Sequence, residues 1–191
     1  MAITLKRKGY GQVEPNHLSG IVTGQIYAQL PAHVKKNDND SVASITQLEQ
    51  GQFAKYDYAN GEVNFTGDGE FMLVYNEEKL YDERKQNHKD FVFKAEDFTD
   101  KQIFPRLIRT YVGDIITTNS IEVANDSDSK EVTPTTEQGE LEVGNYLVVG
   151  NNGFLKRDTH ETKPTGEMVW KVVKEYTMPD GQPGVKIQRV E

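Results

Sequence analysis

The 191-residue sequence predicts an all-β protein, in which meanders of short strands form a sandwich or small barrels. Alternating apolar residues mark about eight to ten segments of strand length. Glycine, proline and asparagine turn signals separate these segments, and no long amphipathic helical pattern occurs. The same pattern fits two β subdomains that carry an extended N-terminal arm.

Composition narrows the class of protein further. The chain is 36% hydrophobic and 9% aromatic, which is enough for a globular core. A formal net charge of −8 argues against nucleic acid as the main partner, because phosphate binding relies on lysine and arginine. The chain has no cysteine, which excludes disulfides, thiolate metal sites and cysteine nucleophiles. We expect no signal peptide, no membrane span and synthesis in a reducing cytoplasm.

Residues 1–36 are predicted to form a basic N-terminal arm that ends with a first strand. Five lysine and arginine residues there stand against one acidic residue, Glu14. Glycines and Pro15 disfavour regular structure in the first half, whereas residues 21–30 read as a strand that ends at Pro31. The arm is expected to lie on an acidic neighbour, and the candidate partner-binding residues are Lys6, Arg7, Lys8 and Tyr10. The alternative is that these charges are only solvated.

The apolar residues of the arm lead to two opposite expectations. Only Ile3, Leu5 and Tyr10 are sizeable apolar groups in residues 1–11, so deletion of that segment is expected to leave the β-core folded. If Ile3 and Leu5 form a strand that completes the first sheet, the same deletion lowers the melting temperature.

Residues 37–124 are predicted to form the first β subdomain, with a meander at its centre. Residues 53–65 alternate on either side of Asn60-Gly61, where both residues tolerate the positive φ of a tight primed hairpin turn. A glycine-rich break follows, and then the apolar run Phe71–Tyr75. Its nearly continuous apolar character predicts a strand that is covered on both faces.

One sequence pattern occurs twice, as Leu-Glu-x-Gly-x-aromatic. It spans Leu48–Phe53 and Leu141–Tyr146, and each copy is followed by an Asn-Gly pair, at Asn60-Gly61 and at Asn152-Gly153. Two similar β-units, each with a turn, a strand and a hairpin, would explain the recurrence. Chance recurrence of common strand and turn residues is the alternative.

Further strands are expected between residues 91 and 118. The polar segment 76–90 is either a short solvated helix or a loop, and its lone His88 is interpreted as a surface residue. The next three segments are rich in aromatic and β-branched residues, which favour strands. They are Phe91–Phe93, Ile103–Val112 and Ile115–Thr118.

The last third of the chain divides into a polar segment and a second β subdomain. Residues 125–139 contain Val132 as their only strongly apolar residue and are predicted to be a linker or an exposed loop. Residues 140–191 are predicted to form the second subdomain, which ends in a hairpin around residues 178–184. Trp170, the single tryptophan, is expected to anchor its core.

Catalytic and metal-binding signatures are missing from the sequence. Zinc-protease, nucleophile-elbow, phosphate-loop and dinucleotide-binding motifs do not occur, so no catalytic residue, metal ligand or cofactor is predicted. Asp38 with Asp40 and Asp126 with Asp128 have the spacing of calcium ligands. They lack the glycine and distal glutamate of a calcium loop, so polar turns are the better interpretation. We therefore expect that the chain is not an enzyme.

A group of sequence blocks resembles the small β-rich virion proteins of tailed phages that are assigned as head decoration or cement proteins. The blocks are Gly69–Glu77, Tyr81-Asp82, Asp90-Phe91 and Arg109–Asp114. The resemblance covers residues 48–157 and concerns the order of the blocks and their general amino-acid character. It implies a non-enzymatic protein that binds the major capsid protein lattice and stabilises the head. This chain is longer than the smallest decoration proteins, which leaves a tail, connector or head-fibre role open.

The resemblance also implies a location and partners. The protein would lie on the capsid surface of the virion after synthesis in the host cytoplasm. Its partners would be the major capsid protein and copies of itself, in a homo-oligomer or a lattice-bound form. A carbohydrate-binding β-sandwich is the rival interpretation, and it requires exposed aromatic side chains on one face, such as Tyr56, Tyr58 or Tyr81.

Overall fold

The computed structural model confirms the all-β class. It describes residues 3, 5, 7–8, 10–14, 26–33, 45–76, 92–94, 102–122, 124–125, 131–133, 141–158 and 162–191. All regular secondary structure in these ranges is β-strand, and no helix occurs in them. The polar segment 77–91, which holds Tyr81 and His88, and both calcium-like Asp pairs lie outside the described residues.

The strands are short and are numbered here in chain order. The first nine are β1 (Arg7–Lys8), β2 (Ile26–Gln29), β3 (Ala32–His33), β4 (Gln47–Glu49), β5 (Phe53–Asp57), β6 (Glu62–Asn64), β7 (Phe71–Val74), β8 (Val92–Lys94) and β9 (Gln102–Ile103). The next eight are β10 (Arg106–Arg109), β11 (Ile115–Thr118), β12 (Ala124–Asn125), β13 (Glu131–Thr133), β14 (Tyr146–Val149), β15 (Leu155–Arg157), β16 (Val169–Thr177) and β17 (Pro183–Arg189). The strands predicted in the meander and in the final hairpin are all present.

Four sheets contain these strands. A seven-stranded sheet has the order β2-β10-β7-β5-β6-β3-β9, and a five-stranded sheet has the order β11-β17-β16-β14-β15. A small third sheet has the order β1-β13-β12, and β4 pairs with β8 in a fourth. Among these strands, β3 and β6 form a parallel pair and the other pairs are antiparallel.

The seven-stranded sheet curls into a barrel. β2 pairs with β10, and β3 lies five strand spacings from β2 in the sheet order. In a flat sheet these positions would be about 24 Å apart, since neighbouring strands are about 4.8 Å apart. Only Leu30 and Pro31 connect β2 to β3, and three extended residues span at most about 11 Å. The sheet must therefore bend until its ends meet, and we call β2, β3, β5, β6, β7, β9 and β10 the N-terminal barrel.

The five-stranded sheet closes in the same way. β11 pairs with β17 at one edge, and the chain then reaches the other edge, where Ile121 pairs in parallel with Leu155 of β15. The N–H of Glu122 also donates to the carbonyl of Leu155 at 2.6 Å. Thr118 ends β11 three residues before Ile121, so the same limit of about 11 Å applies. We call β11, Ile121-Glu122 and β14 to β17 the C-terminal barrel.

Apart from β9, which pairs with β3 in the N-terminal barrel alone, the two barrels have the same topology. Each barrel begins with a chain segment that has one antiparallel and one parallel neighbour. In the N-terminal barrel β2 and β3 together form this segment, and in the C-terminal barrel β11 and Ile121 form it. The next four strands are β5, β6, β7 and β10 in one barrel and β14, β15, β16 and β17 in the other. The five segments of each barrel can be numbered 1 to 5 by their order in the chain. In both barrels their order around the barrel is 1-5-4-2-3, and segment 3 then pairs with segment 1. The chain therefore contains one five-strand arrangement twice.

The repeated Leu-Glu-x-Gly-x-aromatic pattern forms the turn that enters the second strand of each barrel. In the first copy the N–H of Gln52 donates to the carbonyl of Glu49 at 3.3 Å, and Gly51 has a φ of 85°. A type II turn has these features and requires glycine at this place. The N–H of Glu49 donates to the side-chain oxygen of Gln52 at 2.5 Å. The N–H of Gly51 donates to the carbonyl of Val74 at 2.9 Å.

The second copy of the pattern repeats each of these contacts. The N–H of Asn145 donates to the carbonyl of Glu142 at 3.0 Å, and Gly144 has a φ of 101°. The N–H of Glu142 donates to the side-chain oxygen of Asn145 at 2.9 Å. The N–H of Gly144 donates to the carbonyl of Val172 at 2.8 Å. The recurrence in the sequence therefore marks a structural repeat.

The two Asn-Gly hairpins differ from the predicted turn type. Gly61 and Gly153 have φ values of 69° and 80°, but no non-glycine residue in the described ranges has positive φ. The prediction that both residues of Asn60-Gly61 adopt positive φ in a tight primed turn was wrong. The connections are longer, residues 58–61 between β5 and β6 and residues 150–154 between β14 and β15. Connections of this length can close with a single left-handed residue, which is the glycine.

Two hydrophobic cores fill the barrels. The N-terminal core contains Met72 and Val74 of β7. The second, which we call the shared core, contains Trp170 and other interior side chains of the C-terminal barrel together with Phe53 and Leu73 of the N-terminal barrel. Alternate residues of β7 thus belong to different cores, which confirms that this strand is covered on both faces. Trp170 is fully buried, as predicted.

The first described residues are part of the folded body. Ile3 forms an antiparallel bridge with Leu141, and both Ile3 and Leu5 are buried in the shared core. Further along the chain, β1 pairs with β13. The burial of both residues agrees with the second expectation for Ile3 and Leu5. The strand completing the first sheet that it supposes is not seen among the described residues, because Ile3 makes an isolated bridge and Leu5 lies in no strand.

The change from one barrel to the other lies between β10 and β11. β11 precedes the predicted linker at residues 125–139 and nevertheless belongs to the C-terminal barrel. Residues 131–133 of the predicted linker form β13, which pairs with β1 and β12. Polar composition indicates where a surface connection lies, but it does not indicate which strands pair across it.

Candidate functional site

A polar cleft of about 450 Å³ lies where the two barrels meet. Its size falls within the range of small-molecule sites, about 300–1,000 Å³. Its lining comes from the residues that lead into β5, from the end of β6 and from the β14–β15 connection. The lining residues are Ile45, Thr46, Gln47, Glu49, Gln52, Asn64, Phe65, Thr66, Asn151, Asn152 and Phe154.

Hydrogen bonds between the barrels fix the shape of the cleft. The N–H of Phe53 donates to the carbonyl of Gly153 at 2.7 Å, and the side-chain amide of Gln52 donates to the carbonyl of Asn152 at 2.8 Å. A Cβ on Gly153 would lie 2.5 Å from the ring of Phe65 and 2.6 Å from the carbonyl oxygen of Phe53. Only glycine therefore allows the β14–β15 connection to pack this closely on the N-terminal barrel.

Glu49 is the one charged residue among the described residues of the cleft lining, and both oxygens of its carboxylate accept hydrogen bonds. The N–H of Gly11 donates to Oε2 at 2.6 Å, and the side-chain amide of Gln47 donates to Oε1 at 2.6 Å. The carboxylate is buried. Buried carboxylates require such partners, because an unpaired charge away from water is costly. Glu49 therefore ties the N-terminal residues to the wall of the cleft.

Asn64 and Asp57 hold the opposite wall of the cleft. The side-chain amide of Asn64 donates to Asp57 at 3.2 Å, and its oxygen accepts the N–H of Thr66 at 2.9 Å. Hydrogen bonds from Asn60, with a further one from Asn64, keep the pKa of Asp57 below its ordinary value. Asp57 is therefore ionised at neutral pH and is a permanent acceptor for these amides.

The cleft offers neutral hydrogen-bonding groups beside apolar surface. Five of its lining residues are carboxamides, two are threonines and two are phenylalanines. A carboxamide supplies a donor and an acceptor at the same place. Among the lining residues that the structure describes, there is no lysine, arginine or histidine. The arrangement therefore suits an uncharged polar ligand better than an anion.

The tyrosine pair considered for glycan binding has a different geometry from the one required. Tyr58 is 70% exposed, whereas Tyr56 is half-buried. Their ring centroids are 5.1 Å apart, and the rings meet edge to face at 82°. Two perpendicular rings do not form one flat platform. Tyr81, the third candidate, lies outside the described residues.

The candidate partner-binding residues lie in or next to the N-terminal sheet. Arg7 and Lys8 form β1, which is an edge strand of the β1-β13-β12 sheet. Tyr10 is half-buried, and Nζ of Lys94 lies 5.3 Å from its ring centroid, within the range of a cation–π contact. Lys6 lies outside the described residues. The structure thus brings Tyr10 to β8, and Arg7 and Lys8 to the edge of a sheet.

The cleft is not predictable from any motif in the sequence. Asn152 and Gly153 were recognised as turn residues, and Gln52 as part of the repeated pattern, but no feature of the sequence linked them. Gln52 and Asn152 are 100 positions apart and meet only because the barrels pack together. The repeated pattern was the one available signal, since it marks the same turn in each barrel.

The described residues show neither a metal-binding cluster nor a membrane-spanning helix. No group of three or more His, Cys, Asp or Glu side chains that could hold a metal ion occurs there. No helix with the length and hydropathy of a membrane span occurs in the same ranges.

Comparison with protein-family models, with curated proteins and with solved structures found no match to this chain. Function is therefore inferred from the residues and contacts described above.

Proposed function

We propose that this chain is a non-enzymatic virion structural protein of a tailed phage, and that it decorates and stabilises the capsid. It binds the lattice of the major capsid protein at the virion surface, next to further copies of itself. The sequence blocks that resemble head decoration proteins support this proposal. Two of them coincide with β7 and with the turn between β10 and β11, so they belong to the framework of the two barrels.

The arrangement of the N-terminal residues carries the proposal. Ile3 is bonded to Leu141, and the N–H of Gln12 donates to the side chain of Asn119 at 2.8 Å. Between these two anchors, β1 forms the edge of a small sheet. An edge strand has backbone groups available for another chain. Because the arm is held at both ends, β1 is already ordered before it binds a partner, and less conformational entropy is lost on binding.

Charge supports attachment through the same edge. The whole chain carries a net charge of −8, whereas residues 1–36 hold five basic residues and one acidic residue. Complementary charge speeds association and selects partners. An acidic surface of the capsid lattice would therefore be attracted to β1 and repelled by most of the remaining surface.

Cosedimentation with purified mature capsid shells tests the proposal. The wild-type chain is expected to pellet with shells, and the triple variant Lys6→Glu, Arg7→Glu, Lys8→Glu to bind about tenfold more weakly in low salt. The difference should shrink in salt above 0.1 M, where the screening length falls below about 10 Å.

A matched control is the triple variant Lys156→Glu, Lys174→Glu, Lys186→Glu, which makes the same change in net charge on the C-terminal barrel. It should bind shells more strongly than the arm variant does. Equal losses in both variants would mean that total charge, and not β1, directs attachment. Specific binding to tail tubes with no binding to mature shells would replace the decoration role with a tail role. Binding to isolated connectors or head fibres would identify the remaining alternatives.

A further inference from the structure

We propose that the cleft between the barrels is a binding site for a neutral saccharide. This inference does not depend on capsid attachment, because the cleft and β1 consist of different residues. It also differs from glycan binding by the exposed tyrosines, since neither Tyr56 nor Tyr58 lines the cleft.

The polar groups of the cleft are suited to hydroxyl groups. A sugar hydroxyl both donates and accepts hydrogen bonds, and so does a carboxamide. The side chains of Asn151, Thr46 and Thr66 are exposed and have no hydrogen-bond partner among the described residues. These three side chains are therefore available to a ligand.

Other amides of the cleft are already fixed by the protein. Gln52 bridges Glu49 and Asn152, and the side-chain oxygen of Asn152 accepts the N–H of Phe154 at 3.2 Å. Asn64 is bonded to Asp57. Ordered walls lower the entropic cost of binding, because they do not need to be arranged by the ligand.

The apolar part of the lining is suited to the face of a sugar ring. Phe65 and Phe154 are both half-buried, so each presents part of a ring at the cleft while its remainder is packed. Aromatic rings have a negative face that attracts the weakly positive C–H groups of a pyranose. A site with aromatic walls and a few fixed polar groups is the usual composition of a small-molecule site.

Charge in the cleft argues against phosphorylated and acidic sugars. Phosphate and carboxylate groups are normally bound by arginine or lysine, and the described part of the lining contains neither. The one charged residue among the described lining residues is Glu49, whose carboxylate would repel an anion. The ligand is therefore expected to be uncharged.

Titration of the full 191-residue chain with neutral disaccharides tests the proposal. The probes are cellobiose, maltose, lactose and diacetylchitobiose, with glucose 6-phosphate and galacturonate as anionic probes. Two-dimensional NMR of the ¹⁵N-labelled protein should show shifts of the side-chain amides of Asn64, Asn151 and Asn152 with at least one neutral probe. The anionic probes should cause no such shifts.

Two variants and one control locate the binding site. Asn151→Ala and Thr66→Ala should each raise the Kd of that probe about threefold to tenfold, as expected for one lost hydrogen bond. Thr165→Ala removes another exposed hydroxyl, which is not among the described lining residues of the cleft, and should leave the Kd unchanged. Absence of shifts with every neutral probe, or equal Kd values for Thr66→Ala and Thr165→Ala, would overturn the proposal. Capsid cosedimentation of Thr66→Ala should equal that of wild type, so the two proposals fail separately.

Discussion

The rings of Phe53 and Trp170 lie 5.7 Å apart and are tilted by 49°, and they belong to different barrels. Phe53 is the first residue of β5 in the N-terminal barrel, yet its side chain is buried in the core of the C-terminal barrel. Both side chains are completely buried. The two barrels therefore share one core and should unfold together.

Replacement of Phe53 by alanine should lower the free energy of unfolding by about 3–5 kcal/mol, because it leaves a cavity in the shared core. Urea unfolding followed by the fluorescence of Trp170, the single tryptophan, measures this loss. The same transition should appear in far-UV circular dichroism, since both barrels lose the shared core at once.

Tyr58→Ala is the control for this substitution. Tyr58 is 70% exposed, so its loss should cost no more than about 1 kcal/mol. If Phe53→Ala cost as little as Tyr58→Ala, the packing of the two barrels on one core would be contradicted.

The repeated turn provides a matched pair of glycine substitutions. Gly51 and Gly144 occupy the same position and both have positive φ, but nothing lies within 4 Å of a Cβ built on Gly144. A Cβ on Gly51 would lie 2.7 Å from Cβ of Ser120, whose hydroxyl donates to the carbonyl of Gln50 at 2.6 Å. Gly144→Ala should lower the free energy of unfolding only through backbone strain, by about 1–2 kcal/mol, as measured by urea unfolding.

Gly51→Ala should lower the free energy of unfolding by at least about 1 kcal/mol more than Gly144→Ala does, because it adds a steric overlap in a packed region. Equal losses in the two variants would show that the contact between Gly51 and Ser120 can relax freely. A smaller loss for Gly51→Ala would contradict the close packing at this turn.

Deletion of residues 1–11 should lower the melting temperature by at least about 5 °C. The deletion removes Ile3 and Leu5 from the shared core and takes away the N–H of Gly11 that Glu49 accepts. A loss of about 2.5 kcal/mol in the free energy of unfolding is enough, since each kcal/mol corresponds to about 2–4 °C in a chain of this size. Differential scanning calorimetry measures the change.

The triple arm variant with glutamate at positions 6, 7 and 8 is the control, because it keeps Ile3 and Leu5. Its melting temperature should stay within about 2 °C of wild type, because the apolar contacts of these two residues in the shared core are kept. An unchanged melting temperature after the deletion would instead agree with the first expectation, in which the arm contributes little to the core.

Stability should decrease in acid partly because of Asp180. Partial burial raises the pKa of Asp180, but hydrogen bonds from Gln12 and Gln182 outweigh this effect, so its pKa lies below the ordinary value. The side-chain amide of Gln12 donates to Asp180 at 2.8 Å. A carboxyl with a lowered folded pKa stabilises the protein above its unfolded pKa of about 3.9 and loses this contribution as pH falls through the folded value.

The free energy of unfolding of Asp180→Asn should therefore fall less steeply than that of wild type below about pH 4. Gln12→Ala, which removes the donor and keeps the carboxyl, should also flatten the acid limb. Urea unfolding at a series of pH values between 6 and 3 provides the comparison. An acid limb of Asp180→Asn parallel to that of wild type would contradict this role of the Gln12 contact.

Local patterns in the sequence determined much of the fold. The apolar run Phe71–Tyr75 correctly predicted a strand covered on both faces, because a strand with one exposed face would show alternation. The position of Trp170 between apolar neighbours correctly predicted a core residue. The recurring Leu-Glu-x-Gly-x-aromatic pattern located the same turn in both barrels, since a type II turn requires glycine at its third position.

Turn type was predicted less well from the same kind of information. Asn60-Gly61 is compatible with a tight primed turn, but the connection of residues 58–61 places only Gly61 at positive φ. The number of residues between two strands depends on where pairing stops. Pairing is decided by the partner strand and not by the turn sequence alone.

Barrel closure, the shared core and the cleft were decided only by the tertiary structure. β2 and β3 are adjacent in the chain but pair with strands on opposite sides of one sheet. Phe53 packs in the core of the other barrel. Gln52 is hydrogen-bonded to Asn152, which is 100 positions away in the chain. Apolar alternation indicates that a residue is buried, but it does not indicate which residue it packs against. Partners so distant in sequence are selected by the packing of whole barrels, and that information is not present in any single stretch of the chain.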